Sequence, residues 1–262
     1  MKRYIKLPNP ILSQLKEVNI DLEMTGRHFA LLAACEGQLP EDVALSILKD
    51  LMDEDANKLT MSELRYLFMM VKINSLENKL TATVICNNEK EEKKDGKFIK
   101  RICGCENTFQ VLLSDAEIKD VPEDFKIPTT MFTIDGVEEE YQLLPPTMDV
   151  ESAIYDYFLT HKDAKQEDIL NNKELSFQYT YLRIVAHLVD KNGQRVINKD
   201  TNFNDCFKWL DSNKFSVINK LFDVLIELGK YGVQNKVYEK KCKECGGSLT
   251  FQLPSLLYGL AN

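Results

Sequence analysis

Two cysteine clusters, one near the end of the chain and one in its middle, constrain the fold more than any other feature. Cys242-Lys-Glu-Cys245 is followed by two glycines, while Cys86 and Cys103-Gly-Cys105 lie far upstream. Two thiolates spaced by two residues, with glycine after the second, are typical of a knuckle that wraps a tetrahedral zinc ion. One knuckle supplies only two ligands, so we expect the upstream cluster to supply the others. Such a metal ion would tie the end of the chain to its middle.

The upstream cluster offers more sulfurs than a tetrahedral ion can take. We expect Cys242 and Cys245 to bind the metal with two of Cys86, Cys103 and Cys105, and Cys105 is the one we favour among these three. Zinc is the metal we expect. An iron–sulfur cluster also accepts four thiolates and is the alternative, and unrelated thiols are the remaining interpretation. An all-sulfur ligand set is typical of structural rather than catalytic zinc.

Composition and charge limit the other possibilities. The chain has 262 residues, of which 44% are hydrophobic and 28% charged, as is usual for a soluble globular protein. A net charge of −8 weighs against sequence-independent binding to a phosphate backbone. No apolar run is long enough to cross a membrane, and the N-terminus lacks the apolar core of a signal peptide, so we expect a cytosolic origin.

The chain has seven cysteines, and an odd number cannot all be paired in disulfides within one chain. This count favours a reducing compartment over a disulfide framework. Cys35 and Cys206 lie among apolar residues and are expected to be buried and unreactive.

The hydrophobic pattern predicts an α+β fold in which helical segments pack around a small central β region. A split, zinc-ribbon-like metal site would join the middle of the chain to its C-terminus. We expect four segments: residues 1–78 as an N-terminal strand plus helices, 79–146 as a β region with the upstream cysteines, 147–232 as a helical domain, and 233–262 as a C-terminal β hairpin with the Cys-x-x-Cys knuckle.

Local signals predict several element boundaries. Thr60-Met-Ser-Glu63 is a capping box that begins a helix, and Asp135-Gly136 is a hairpin turn. The charged residues 87–96 are expected to form a solvated loop. Asp149 is expected to cap a helix, and Phe177 and Phe215 are expected to face the core of later helices.

The sequence contains little that suggests catalysis. The three histidines, His28, His161 and His187, lie on separate helical segments, and no nucleophile motif adjoins them. The chain has no glycine-rich phosphate loop, no Gly-x-Ser-x-Gly motif and no His-Glu-x-x-His motif. We therefore expect a protein that is not an enzyme, and a metalloenzyme is the weakest of the functions considered.

Several segments together resemble a known family. They are Leu7-Pro-Asn-Pro10, Leu31-Leu-Ala-Ala34, the stretch from Leu64 to Leu76, Cys105-Glu-Asn-Thr-Phe-Gln-Val-Leu-Leu-Ser-Asp115, Ile118 to Pro128, and the late Cys-x-x-Cys. In these segments and their order the chain resembles the baseplate hub protein family of T-even-type contractile-tailed bacteriophages.

The resemblance implies a structural subunit or assembly factor that is built in the host bacterial cytoplasm and located in the virion tail baseplate. Its partners would be other baseplate and tail proteins in an oligomeric assembly. From composition we expect no membrane partner, and the net charge weighs against nucleic acid. The family brings no catalytic residues with it.

The alternative is a zinc-containing nucleic-acid-binding protein. Basic residues do cluster near both halves of the cysteine site: Lys236, Lys240, Lys241 and Lys243 on one side, and Lys97, Lys100 and Arg101 on the other. Solvated strand edges explain the same residues, and the acidic balance of the whole chain weighs against DNA.

Overall fold

The fold is described from a computed structural model. It describes residues 1–9, 11–34, 40–76, 78–94, 97–162, 164, 166–234 and 236–252. Cys35, for which a buried position is expected, lies outside these residues.

The N-terminal part of the chain forms one compact unit. Its elements are β1 (Lys2–Lys6), β2 (Glu17–Asp21), α1 (Gly26–Ala33), α2 (Pro40–Leu51) and α3 (Met61–Ser75). β1 and β2 pair antiparallel, and the apolar side chains of β2, Val18 and Ile20, are fully buried against α2 and α3. The alternating pattern of β2 thus provides one wall of the first hydrophobic core.

The start of α3 follows the predicted capping box. The backbone N–H of Thr60 donates to Glu63 Oε2 at 2.8 Å, and the N–H of Glu63 donates to Thr60 Oγ1 at 3.4 Å. These two bonds satisfy amide groups that the first helical turn leaves without partners. The prediction of this helix start is confirmed.

The middle of the chain forms one long hairpin in two stretches. Its strands are β3 (Lys79–Ile85), β4 (Glu89–Lys94), β5 (Lys97–Ile102) and β6 (Glu106–Leu112). β3 pairs with β6 and β4 pairs with β5, both antiparallel. The interruption between the two stretches contains the upstream cysteines.

The prediction of a loop over residues 87–96 is wrong, because Glu89–Lys94 forms strand β4. The strand carries no apolar face that a sequence pattern could reveal. It is held instead by its backbone ladder with β5 and by charge pairs across the ladder, such as Arg101 with Glu92 at 2.6 Å.

The C-terminal part forms a second helical unit. Its elements are β7 (Glu117–Lys119), β8 (Thr129–Ile134), β9 (Val137–Leu143), α4 (Met148–His161), α5 (Gln166–Asn171), α6 (Lys173–Val185), β10 (Leu188–Val189), α7 (Phe203–Ser212) and α8 (Phe215–Leu228). Asp135 (φ 50°) and Gly136 (φ 82°) join β8 to β9, which confirms the predicted tight turn. Helices α4, α6, α7 and α8 bury their apolar faces together with this hairpin.

Three details of this unit differ from the sequence expectations. Thr147 is the residue that caps α4, and the expected cap, Asp149, is not. The Asp149 carboxylate instead accepts hydrogen bonds from the Thr147 hydroxyl and the Val150 N–H. Phe177 and Phe215, expected in the core, are 53% and 77% exposed. Their helices turn other apolar residues inward, including Tyr181 and Ile218. Cys206 is buried as predicted.

Three short strands complete the described chain: β11 (Gly232–Gln234), β12 (Val237–Lys241) and β13 (Ser248–Gln252). β11 pairs with β7, and β12 pairs with β13. Within the described residues the fold is therefore mixed helix and sheet, but its strands form separate sheets of two or three strands rather than a single central β region.

The two helical units are joined directly. The N–H of Met148 donates to the carbonyl of Leu59 at 2.8 Å, and Thr60 and Thr147 form a β bridge. Arg183 on α6 makes a bidentate pair with Glu151 on α4 near this junction. In the parts of the chain described above, none of the helices combines the length and apolar character that spanning a bilayer requires.

Phe158 provides a test of the second core. Its side chain is fully buried on α4, so Phe158→Ala should lower the free energy of unfolding by about 3–5 kcal/mol through lost burial and a cavity. Phe215→Ala, at an exposed site, should change it by less than about 0.5 kcal/mol. Urea denaturation of both variants measures the difference, and equal effects would contradict this assignment of the core.

His187 makes stability depend on pH. Burial lowers the pKa of His187 to about 3, and its Nδ1 lies 2.8 Å from the Arg183 carbonyl. The unfolded-state pKa is about 6.5, so the unfolded chain binds the extra proton and stability falls as the pH drops from 6.5 towards 3. Unfolding free energies between pH 7 and 4 should therefore fall less steeply for His187→Gln than for the wild type. His161→Gln, at an exposed site, is the control, and parallel pH profiles for all three proteins would contradict the prediction.

Candidate metal centre

The upstream cysteines lie where the long hairpin is interrupted. The N–H of Cys86 donates to the carbonyl of Cys105, and the N–H of Gly104 donates to the carbonyl of Cys86, both at 2.9 Å. The N–H of Cys103 donates to Asn88 O at 2.8 Å. Gly104 has φ 68°, a conformation that side chains with a Cβ rarely adopt. The chain therefore turns sharply between Cys103 and Cys105.

The C-terminal knuckle lies between β12 and β13. The N–H of Cys242 donates to Gly247 O at 2.9 Å, and the N–H of Gly246 donates to Cys242 O at 3.0 Å. Gly246 has φ 69°, so this glycine is needed for the tight turn after Cys245. A β-carbon on Gly247 would lie 2.5 Å from Asn88 Nδ2. The second glycine therefore allows the two hairpins to approach.

Four sulfur atoms, two from each hairpin, meet at one point. Cys86 Sγ lies 3.6 Å from Cys245 Sγ, and Cys103 Sγ lies 3.8 Å from Cys242 Sγ. All four sulfurs lie within 4.8 Å of one another. Four thiolates at about 2.3 Å from a tetrahedral zinc ion would lie about 3.8 Å apart. The arrangement therefore has the dimensions of a site for a single tetrahedral ion.

Cys105 is not among these four. Its Sγ donates to the carbonyl of Glu106 at 3.5 Å, and the group whose sulfurs converge contains Cys86 and Cys103 instead. The preference for Cys105 therefore does not match the geometry. The physical reason is the turn at Gly104, which separates the directions of the two cysteines that flank it.

The four sulfurs do not have equivalent proton affinities. The backbone N–H of Cys245 and that of Glu244 lower the pKa of Cys242 to about 6. At Cys245 the Gly247 amide also favours the thiolate, but burial and the neighbouring sulfurs outweigh it and raise the pKa to about 12. Four thiolates in this space repel one another, so full deprotonation needs a cation among them.

Two asparagines brace the site, and the sequence analysis did not identify them. Asn107, buried on β6, accepts from the N–H of Lys243 at 2.9 Å and donates to Cys105 O at 2.9 Å. Its Nδ2 also lies 3.5 Å from Cys242 Sγ. Asn88 donates to Ser248 O at 2.9 Å and lies 3.5 Å from Cys86 Sγ. Each asparagine therefore connects one hairpin to the other beside a sulfur.

The only signal for these asparagines is their spacing. Asn88 and Asn107 each follow a cysteine of the upstream cluster by two residues. Asparagine is common on protein surfaces, so this spacing alone does not distinguish a bracing residue from a solvated one.

Aromatic packing supports the same contact between the hairpins. The Phe109 ring on β6 stacks on Phe251 of β13 with centroids 5.4 Å apart, and Tyr238 of β12 stacks on Phe251 at 5.6 Å. Ala82 and Val111 close the cluster from β3 and β6. This small apolar layer aligns the two hairpins and so sets the positions of the cysteines.

None of the three histidines belongs to the group of side chains that converges at this site. His28 Nδ1 accepts from the N–H of Thr25 in the first turn of α1. His161 is exposed on α4, where its ring stacks on Tyr157. His187 interacts with the end of α6 through the Arg183 carbonyl. The described candidate ligands that converge are therefore all sulfur.

A family model described as T4 bacteriophage base plate protein matches residues 8–257. Searches of curated proteins and of solved structures found no match to the chain.

Asn107 provides a test of how the site is braced. Asn107→Ala would remove the part-buried hydrogen bond from the N–H of Lys243 and should lower the free energy of unfolding by about 0.5–1.5 kcal/mol. Asn107 Nδ2 lies 3.5 Å from Cys242 Sγ, so its loss should weaken the expected metal binding at this sulfur by about 10- to 100-fold. Competition with a coloured chelator measures the affinity. Asn87→Ala, at an exposed neighbouring site, is the matched control, and equal affinities for the two variants would show that Asn107 does not brace the site.

Proposed function

We propose that this chain, which belongs to the T4 bacteriophage base plate protein family, is a structural subunit or assembly factor of the baseplate hub. The observation that carries the proposal is the family match over residues 8–257, nearly the whole chain. Membership of this family supports a location in the virion tail and contact with other tail proteins. We further propose that the chain occupies the hub of the baseplate and that it is assembled in the host bacterial cytoplasm.

The second part of the proposal is a structural zinc ion bound by Cys86, Cys103, Cys242 and Cys245. The support is the convergence of their sulfurs, with separations of 3.6 and 3.8 Å between the two pairs. A four-iron cluster binds each thiolate through a different iron and holds the sulfurs farther apart. The short separations therefore favour one ion, and tetrahedral sulfur ligation is typical of zinc.

Such an ion would act as a clasp rather than as a catalyst. Four thiolates fill a tetrahedral coordination sphere and leave no position for water or substrate. The ion would contribute folding free energy, about 10–16 kcal/mol in zinc-finger peptides. By joining residues that are distant in sequence, it would stiffen a part of the chain that has only a small apolar cluster of its own.

The nucleic-acid-binding alternative finds little support in the charges beside the site. Lys90 pairs with Glu244, Arg101 with Glu92 and Lys100 with Glu89. These carboxylates reduce the positive potential that a phosphate backbone needs. The net charge of −8 over the whole chain acts in the same direction.

Metal content of cysteine variants tests the clasp. Protein purified without added metal should contain about one zinc per chain. Each of four variants should lose most of this zinc and be less stable, because three thiolates bind far more weakly than four: Cys86→Ser, Cys103→Ser, Cys242→Ser and Cys245→Ser. Cys105→Ser should keep the metal, and it is the matched control because Cys105 lies beside the site but outside the four. Zinc loss in Cys105→Ser with retention in Cys86→Ser would contradict the ligand assignment.

Infection experiments test the role in the tail. When the gene is inactivated in a phage that encodes the chain, lysates should lack complete baseplates when viewed by electron microscopy. Wild-type protein supplied from a plasmid should restore them, and mass spectrometry should detect the chain in purified tails if it is a subunit. Normal tails in the absence of the chain would overturn the proposed function. Normal tails with Cys242→Ser would overturn only the need for the clasp.

A further inference from the structure

The hairpin of β4 and β5 leaves large apolar side chains in solvent. We call residues 89–102 the arm. On β5, Phe98 is 72% exposed, Ile99 47% and Ile102 64%. Within the described residues the arm is a sheet of two strands, and two-stranded hairpins are marginally stable alone in water. Side chains alternate along a strand, so Phe98 and Ile102 share one face of β5, and neighbouring exposed apolar side chains of this kind mark interaction sites on soluble proteins.

The arm differs in charge from the rest of the chain. Residues 89–102 contain six lysines and arginines and four acidic residues, a net charge of +2, whereas the whole chain carries −8. The remainder therefore carries −10. The ion pairs within the arm, Arg101 with Glu92 and Lys100 with Glu89, are largely exposed and cost little to exchange. Charge alone does not select the partner, but the exposed Phe98 and Ile102 need apolar pockets, which a phosphate backbone lacks, so the arm suits an acidic protein surface with apolar pockets.

The chain itself has such a surface between its two helical units. A cleft of about 370 Å³ is bounded by α2 and α3 on one side and by α4 and α6 on the other. We call it the acidic cleft. Its apolar lining consists of Met61, Met148, Tyr155, Leu159, Ile169 and Tyr179. A volume of this size lies at the lower end of the range for ligand sites, about 300–1,000 Å³, and can take a few apolar side chains.

The charges of the acidic cleft complement those of the arm. Four carboxylates line it, from Glu41, Asp42, Glu151 and Asp156, against two guanidinium groups, from Arg65 and Arg183. Arg65 lies 3.8 Å from Glu41, and Arg183 pairs with Glu151. Partial burial, with the charges of Glu41 and Asp156, raises the pKa of Asp42. An incoming cation would relieve this repulsion.

We propose that the arm of one copy of this chain docks into the acidic cleft of a second copy. Phe98 and Ile102, which lie on one face of β5, would enter the apolar lining, and Lys100 between them would approach Asp42 and Asp156. The two surfaces are different parts of the molecule, so the contact is head-to-tail and extends to a ring or an open chain of copies. The inference goes beyond the proposed function and does not require it.

Sedimentation velocity of the full chain tests the contact. The wild type should form oligomers whose population rises with protein concentration and falls as salt is raised from about 0.05 to 0.5 M, because charge attraction is screened. Phe98→Asp in the arm and Asp156→Arg in the acidic cleft should each weaken self-association by about tenfold or more.

Mixing these two variants tests the head-to-tail geometry. The Phe98→Asp chain keeps an intact cleft, and the Asp156→Arg chain keeps an intact arm, so the mixture should form a one-to-one heterodimer and nothing larger. Phe215→Asp and Asp223→Arg, both at exposed positions on α8, are the matched controls and should associate like the wild type. Circular dichroism and thermal unfolding show whether each variant keeps its fold.

Three outcomes would overturn the proposal. A wild-type chain that stays monomeric up to high micromolar concentration would exclude the contact. Oligomers that neither Phe98→Asp nor Asp156→Arg weakens would assign self-association to another surface. An arm that binds only a different baseplate protein, with no self-association, would replace the second copy as the occupant.

Discussion

The convergence of four sulfur atoms from two separate hairpins, β3–β6 with its extension β4–β5 and β12–β13, is the constraint on which this part of the fold depends. Neither hairpin has a large core, since the apolar cluster between them consists of a few side chains such as Tyr238 and Phe251. Bringing Cys86 and Cys103 to within 4.8 Å of Cys242 and Cys245 places up to four negative charges in one small volume. A divalent cation makes this arrangement favourable, and without one most of the sulfurs must stay protonated.

The same constraint explains the local backbone. Gly104 and Gly246 have positive φ because the backbone of each hairpin must turn directly beside a cysteine. Asn88 and Asn107 form side-chain hydrogen bonds that link one hairpin to the other. A site that is closed by sulfur and braced on both sides suits a structural role. It is consistent with a family whose members are base plate proteins.

The sequence predicts those parts of the fold that depend on local chemistry. The capping box at Thr60 and Glu63 and the turn at Asp135-Gly136 could be predicted because a few adjacent residues determine them. Strand β4 was missed because its charged residues leave no apolar alternation, and its pairing depends on β5. The sequence could not show that the sulfur of Cys103, rather than that of Cys105, lies near those of Cys242 and Cys245, because this depends on the backbone turn at Gly104. The role of Asn107 depends on contacts with a segment that is distant in sequence.

X-ray absorption spectroscopy at the zinc edge tests the central claim most directly. A single ion bound by Cys86, Cys103, Cys242 and Cys245 predicts a shell of four sulfurs at about 2.3 Å with no neighbouring metal. A shell that contains nitrogen or oxygen ligands would contradict the four-thiolate clasp. Iron in place of zinc, with a second metal at short distance, would contradict the single-ion site and assign the four cysteines to a cluster.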